Sequence, residues 1–248
     1  MSEESKKSTN IAVFDDDLLS AGTGLENMTS DDLAIPFIRV LQALSPQVNK
    51  RAPEHVEGAE VGMLHNTVTN AIYDGEKGVE IIPCSYTKRY LEWIPREKGG
   101  GLVTADHEPT ILRSTTKNDQ GIPVLENGNT IDETAQFFIL LLDPNEGPQQ
   151  CVLSFSRSQL GVARKWNTIL RMAKIQNSEG VSVSAPIFAY KYLLTTVELS
   201  NDKGSWFGFN VTQADQITGA EKSLALQAKD FMMAAKAGDV KVKQEDSI

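Results

Sequence analysis

Apolar and polar residues fall into blocks along the chain, and most of these blocks have strand length rather than helix length. The first, Ile35-Pro-Phe-Ile-Arg-Val-Leu-Gln-Ala-Leu44, carries Pro36 near its start, and a residue without an amide donor belongs at a strand start or on an edge. Its second half, 40–44, is too short to separate strand from short helix. Residues 45–62 hold two prolines and two glycines among polar residues and read as a loop. Residues 63–73 read as strand ending at the turn dipeptide Asp74-Gly75. Residues 79–94 are β-branched and aromatic, which predicts a long strand interrupted at Pro83. Gly99-Gly-Gly101 opens a stretch to about 130 with few large apolar residues, expected to be a long loop with at most one short hairpin. Residues 134–142 and 150–155 predict a hairpin across Asp143-Pro-Asn-Glu-Gly-Pro148, and their nearly continuous apolar character predicts strands covered on both faces. A second hairpin is expected from 187–199 and 205–211 over Asn201-Asp-Lys-Gly204.

Two blocks have helical period. Residues 157–176 follow Ser156-x-x-Gln159, which has capping-box spacing. Residues 218–237 are amphipathic through Leu224, Ala228, Phe231 and Ala235 and stop near Gly238. Strands, helix, strands, helix, with the helices packed on one side of antiparallel hairpins, predicts an α+β fold: antiparallel, β-rich, an OB-like partly open barrel with two main helices. The expected organisation is an acidic flexible N-terminal arm over 1–33, a β-rich core over 34–215 with the helix 157–176, a C-terminal amphipathic helix over 216–237 and a flexible tail over 238–248.

Charge changes this picture. The 248 residues carry a formal charge of −9. Residues 1–33 hold eight acids against Lys6 and Lys7, which leaves the rest of the chain near −3. Such an arm cannot bury enough apolar surface to offset its ordering entropy. It has no apolar h-region of a secretory signal, and no apolar run in the chain approaches the ~20 residues that span a bilayer, so no membrane partner is expected. Cys84 and Cys151 lie in apolar, strand-like contexts and read as buried free thiols of a reducing cytoplasm.

Catalytic and cofactor patterns are absent. His55, His65 and His107 have no metal-ligand spacing, and no phosphate-binding loop, dinucleotide fingerprint or nucleophile elbow occurs. Asp132, Glu133 and Asp143 flank a strand as carboxylates do in two-metal nucleases, but acids there are more often solvated strand ends. The expectation is a non-enzyme with no catalytic residue, no metal and no cofactor.

What remains is basic and aromatic. Arg157, Arg164 and Arg171 recur every seven residues and form one stripe on the helix, extended by Lys174 and flanked by Lys165, with no acid between 157 and 174. Such a row either tracks a phosphate backbone or is a solvated face. Trp166 sits on the opposite, apolar face and reads as core. In the strand, Lys88, Tyr90 and Glu92 alternate with Arg89, Leu91 and Trp93, and Arg96 follows. Cations interleaved with rings suit single-stranded nucleic acid, where bases stack and phosphates pair, or else put aromatics in the core. Phe188, Tyr190 and Tyr192, with Trp206, Phe207 and Phe209 in the paired strand, read as core or stacking platform. The expected nucleic-acid-binding set is Arg157, Arg164, Lys165, Arg171, Lys174, Lys88, Arg89, Tyr90, Trp93 and Arg96.

The stretches Ile35 to Pro46, Tyr73-Asp-Gly75, Ile81-Ile-Pro83, Lys88-Arg-Tyr-Leu-Glu-Trp93, Phe155-Ser-Arg-Ser-Gln-Leu160 and Arg164-Lys-Trp166 together resemble phage single-stranded DNA-binding proteins of podovirus type, from replication modules. The resemblance covers about 31–215. It implies an OB-like fold, coating of exposed strands during replication and recombination in the host cytoplasm, contact with replication or recombination enzymes, here through the acidic arm, and possible homo-oligomerisation. It also implies a strongly acidic C-terminal tail, whereas the last thirteen residues balance three lysines against three acids. Two other classes stand beside it: an adaptor or inhibitor whose acidic arm mimics DNA, and a virion structural component.

Overall fold

The computed structural model describes residues 23–25, 27, 34–202, 204–240 and 242. The chain divides into two units, 1–33 and 34–248. The acidic arm lies almost wholly outside the described residues, as does most of the tail after 240; the second unit is described here. Its strands are β1 (Ile38–Val40), β2 (Leu64–Asn66), β3 (Ile72–Tyr73), β4 (Val79–Trp93), β5 (Leu102–Thr104), β6 (Thr116–Lys117), β7 (Pro123–Val124), β8 (Thr130–Asp143), β9 (Gly147–Ser156), β10 (Lys174–Gln176), β11 (Ser182–Ser184), β12 (Tyr190–Asn201) and β13 (Gly204–Gln216). Its helices are α1 (Leu160–Met172) and α2 (Lys222–Ala237).

The fold is α+β, an antiparallel β-rich half-barrel with two main helices. Eight strands make the main sheet. Its body runs β13-β12-β4-β8-β9, and β5, β7 and β6 extend one end by pairing with the last residues of β4 and the first of β8. Both expected hairpins form, β8 with β9 and β12 with β13. β4 is one continuous strand: Pro83, which has no ladder donor, is accommodated by a register shift between Pro83 and Ser85 rather than by an interruption. The stretch after Gly101 is more structured than a loop with at most one hairpin: β5 pairs back on β4, β6 pairs with β7, β7 pairs on with β8, and a 3-10 turn covers Pro109–Ser114.

The apolar blocks of β8 and β9 are covered on both faces. Phe137, Ile139, Leu141, Cys151, Leu153 and Phe155 pack with Ala163 and Trp166 of α1. Phe138, Leu140 and Val152, one residue out of step, pack with Ala228 and Phe231 of α2. The helices therefore lie on opposite faces of the sheet, not on one side as the order of elements suggested. Two apolar faces need two covers, and a single helical layer would leave one in water. Val240 and Val242, expected in the flexible tail, pack against the α2 side.

Both outer edges of the body are sealed by one segment. The Val152 amide of β9 donates to the Pro36 carbonyl (2.9 Å), and Phe37 bridges to Val152. A few residues on, the Gln42 side chain treats Phe207 of β13 as a strand would: its Nε2 donates to the Phe207 carbonyl (2.8 Å), and its Oε1 accepts from the Phe207 amide (3.0 Å). The next outward amide of β13, Phe209, donates to Gln159 Oε1 (2.9 Å). An open edge is a template for pairing with another chain, and here side-chain amides satisfy it.

The helix boundaries also differ from expectation. Residues Arg157–Gln159 form a 3-10 turn, α1 starts at Leu160, and Lys174–Gln176 is strand β10 paired with β11. Ser156 makes no side-chain cap, and the Gln159 side chain, expected in the capping box, is committed to β13. A capping box does form before α2, between Thr218 and Glu221, with 3-10 turn Gly219–Glu221 leading into the helix. Both cysteines are buried free thiols, and burial pushes each up to about 12.

Candidate functional site

The face of the sheet that α2 covers at one end is open at the other. Past Phe138 and Val152 the same alternation presents Thr134, Asp132 and Thr130 of β8, Ser154 and Ser156 of β9, and Leu91 and Trp93 of β4. These residues floor an open cleft of about 1230 Å³. Hydroxyl side chains replace the apolar ones two rungs away, with Thr134 buried and Thr130, Ser154 and Ser156 half-buried. One wall is the turn after β4, with Ile94, Arg96, Gly100 and Gly101, and the β6–β7 hairpin, with Asn118 and Ile122. The other is Arg39 and Gln42 with Arg157, Gln159, Phe207 and Phe209.

The wall after β4 is held by a buried carboxylate. Glu92 accepts from Asn129 Nδ2 (2.6 Å) and Asn127 Nδ2 (3.4 Å), and lies 2.6 Å from His107 Nε2. Chiefly the Asn129 amide, then His107 and Asn127, hold its carboxyl below the usual range against the opposing effect of burial. One side chain of β4 thus ties down both segments that extend the sheet.

Arg157, Trp93 and Arg96 of the expected binding set meet in this cleft. Arg157 reaches it from an unusual backbone: its φ is +50°, in the left-handed region that long side chains rarely occupy. Its Nε and Nη2 each lie 3.2 Å from an oxygen of Asp132. Arg39, which the sequence reading did not select, joins them, its guanidinium 5.8 Å from the centre of the Phe37 ring. Its signal was a lone cation in an otherwise apolar block, which says nothing about where it points. The cleft also holds Glu97 and Asp119, so its acids and arginines are equal in number.

The other members of the set stand elsewhere. Arg164, Lys165 and Arg171 are on the exposed side of α1 and make no ion pair among the described residues. The seven-residue stripe does not extend back to Arg157, which lies in the 3-10 turn before α1 with a left-handed φ. Lys174 belongs to β10 and donates to Ser184 Oγ (3.0 Å). Lys88 pairs with Glu133 (2.8 Å), whose carboxylate holds the ammonium above its ordinary value, and Arg89 pairs with Asp106. Tyr90 is buried, so it offers no face to a base. Trp166 is core, stacked on Phe137 with ring centres 4.2 Å apart, and Tyr192 and Phe209 join the same cluster. α1 starts directly after Gln159, and its 13 residues span about 20 Å.

The carboxylates considered for two-metal chemistry are dispersed. Asp132 serves Arg157 and Glu133 serves Lys88. Asp143 accepts from the Tyr73 hydroxyl (2.7 Å) and from the amides of Asn145 and Glu146 in the β8–β9 turn. No group of three His, Cys, Asp or Glu among the described residues is placed to hold a metal ion. No helix among them is long and apolar enough to cross a membrane.

No curated protein and no solved structure matches the chain. A family model does match, over residues 5–241, nearly the whole length, and the chain therefore belongs to the family of the Pam3 phage gp34-like protein.

Proposed function

We propose that this phage protein is a non-catalytic single-stranded DNA-binding protein that coats exposed strands during phage DNA replication and recombination in the host cytoplasm. The observation that carries the reading is the convergence of Arg39, Trp93, Arg96 and Arg157, from three separate segments, on one open cleft with a hydroxyl-rich floor. Guanidinium groups pair with phosphate oxygens, an accessible ring stacks a base, and hydroxyls bond base edges and sugar oxygens. Arg164, Lys165 and Arg171, on the exposed side of α1 and without an ion pair among the described residues, add a second cationic face outside the cleft. The acidic balance of the whole chain opposes long-range attraction, so this binding depends on local contact rather than on steering.

The test is a fluorescence-anisotropy titration of the full chain with oligo-dT at 50 and 200 mM salt. Binding should weaken steeply with salt, with a slope of about 0.7 for each phosphate neutralised. Trp93→Ala should weaken it by about 1–3 kcal/mol, the worth of one base–ring stack. Reversing Arg164 and Arg171 to Glu should lower affinity without disturbing the fold. Absence of binding at 50 mM salt would overturn the proposal. The excess of acids in 1–33 favours a second reading, an adaptor or inhibitor docking on a basic enzyme, possible without DNA affinity and testable by a pull-down with and without those residues.

A further inference from the structure

We propose that Asp132 sets the strength and selectivity of the cleft by competing with the ligand's phosphate for Arg157. This rests on the nucleic-acid reading of the cleft and goes one step further, to a residue whose charge opposes binding. Asp132 stands on the floor between Thr130 and Thr134, with its side chain only 14% exposed. Arg157 is 59% exposed and is the one cation paired with it among the described residues. The pair uses both prongs, Nε to Oδ1 and Nη2 to Oδ2, each at 3.2 Å. A planar guanidinium presents that same fork to a phosphate. Asp132 thus already occupies the position on Arg157 where a phosphodiester would bind.

The backbone gives independent support. β9 ends at Ser156, opposite Thr134, and Asp132 lies two residues past that rung, beyond the reach of the β9 ladder. Arg157 comes back over it only because its φ is +50°. Left-handed geometry at a non-glycine residue persists when the surroundings enforce it, and such positions gather at ligand clamps. A strand entering the cleft therefore meets an arginine that is oriented but engaged. The phosphate must displace Asp132, leaving a nearly buried carboxylate without its counter-charge. The carboxylate therefore lowers affinity, and it favours a flexible backbone that can bring a phosphate down to the floor over a stiff duplex that cannot.

The decisive variant is Asp132→Asn, which keeps the size of the side chain and one acceptor for Arg157 but removes the charge. With oligo-dT at 50 mM salt it should bind roughly 3–10-fold tighter than the natural chain, with a similar salt slope, because Arg157 meets a phosphate in both chains. Adding Arg157→Gln should abolish the gain, and Arg157→Gln alone, which removes a phosphate ligand and leaves Asp132 without its ion pair, should weaken binding. Failure of the natural chain to bind oligo-dT would overturn the cleft reading itself. Binding by the natural chain with equal or weaker binding by a folded Asp132→Asn would overturn only the competition. Should Asp132→Asn fail to fold, the Arg157 15N-Nε resonance of the natural chain decides. It should shift on saturation with oligo-dT, and an unchanged resonance would remove Arg157, and with it the role of Asp132, from the site.

Discussion

Gly75 shows how one residue without a side chain holds two parts of the fold at contact distance. The Thr196 hydroxyl donates to the Gly62 carbonyl (2.6 Å), and the Thr196 amide donates to the Gly75 carbonyl (2.8 Å), so the β3–β4 turn, the loop before β2 and β12 meet at this point. A Cβ at Gly75 would overlap both the Gly62 carbonyl and the Thr196 hydroxyl, and the first of these is backbone that cannot swing aside. Gly75→Ala should therefore lower stability by about 1–3 kcal/mol, the range for forcing atoms into a filled space. A urea-unfolding midpoint would read it, and an unchanged midpoint would mean the turn can move. The turn itself was legible, because Asp-Gly is a turn signal. The reason glycine alone fits was not, since the atoms that exclude a side chain come from residues 62 and 196.

Among the elements, β4 and the segments tied to it govern whether the cleft keeps its wall. Glu92 is the single carboxylate bonded to His107, Asn127 and Asn129, and its carboxyl lies below the usual range in the folded chain. A depressed carboxyl stabilises the fold above its unfolded value, and that contribution is lost as pH falls through the folded one. Glu92→Gln should then flatten the acid limb of stability over that window. It should also loosen residues 100–129, seen as faster hydrogen exchange there with little change in β8 and β9. Equal exchange across both regions would show that the wall is held by other contacts. The sequence pattern recognised β4 as a long strand and its alternating faces, because period-2 alternation is local. It read 99–130 as a loop, because short strands that pair only with the ends of longer ones carry too few residues to show a period.

For the whole molecule, the two covered faces have a consequence at high pH. Cys84 and Cys151 face opposite sides of the sheet, one in each apolar cluster, and burial pushes both thiols up to about 12 from an ordinary value of 9.0. The unfolded chain therefore releases these protons first. Their contribution to stability is intact below pH 9 and falls away as pH rises towards 12. The urea midpoint should decline over that interval. It should decline less steeply in a Cys84→Ala/Cys151→Ala chain, whatever that chain's stability at neutral pH. Equal slopes would mean that other groups, such as Tyr192, also raised to about 12 by burial, dominate the alkaline limb. Neither thiol should react with a thiol reagent in the folded protein, and both should react in urea.

The composition and the pattern of apolar blocks determined the α+β class, the two long hairpins, the two helices, and the burial of Trp166 and the cysteines. All of these follow from periodicity, turn chemistry or local charge, which are properties of neighbours in the chain. Which faces the helices cover, which edges the Gln42 and Gln159 amides close, and which cations share a cleft were decided by the tertiary structure. Arg164 and Arg157 are seven residues apart, yet they serve different surfaces, because the chain leaves helical geometry between them. Arg39 and Arg157 are over a hundred residues apart, yet they line one wall, because the segment that carries Arg39 runs from β9 to β13. The charge that counts for binding is the charge left after each cation has met its neighbours, and those neighbours are assigned only when the sheet curls.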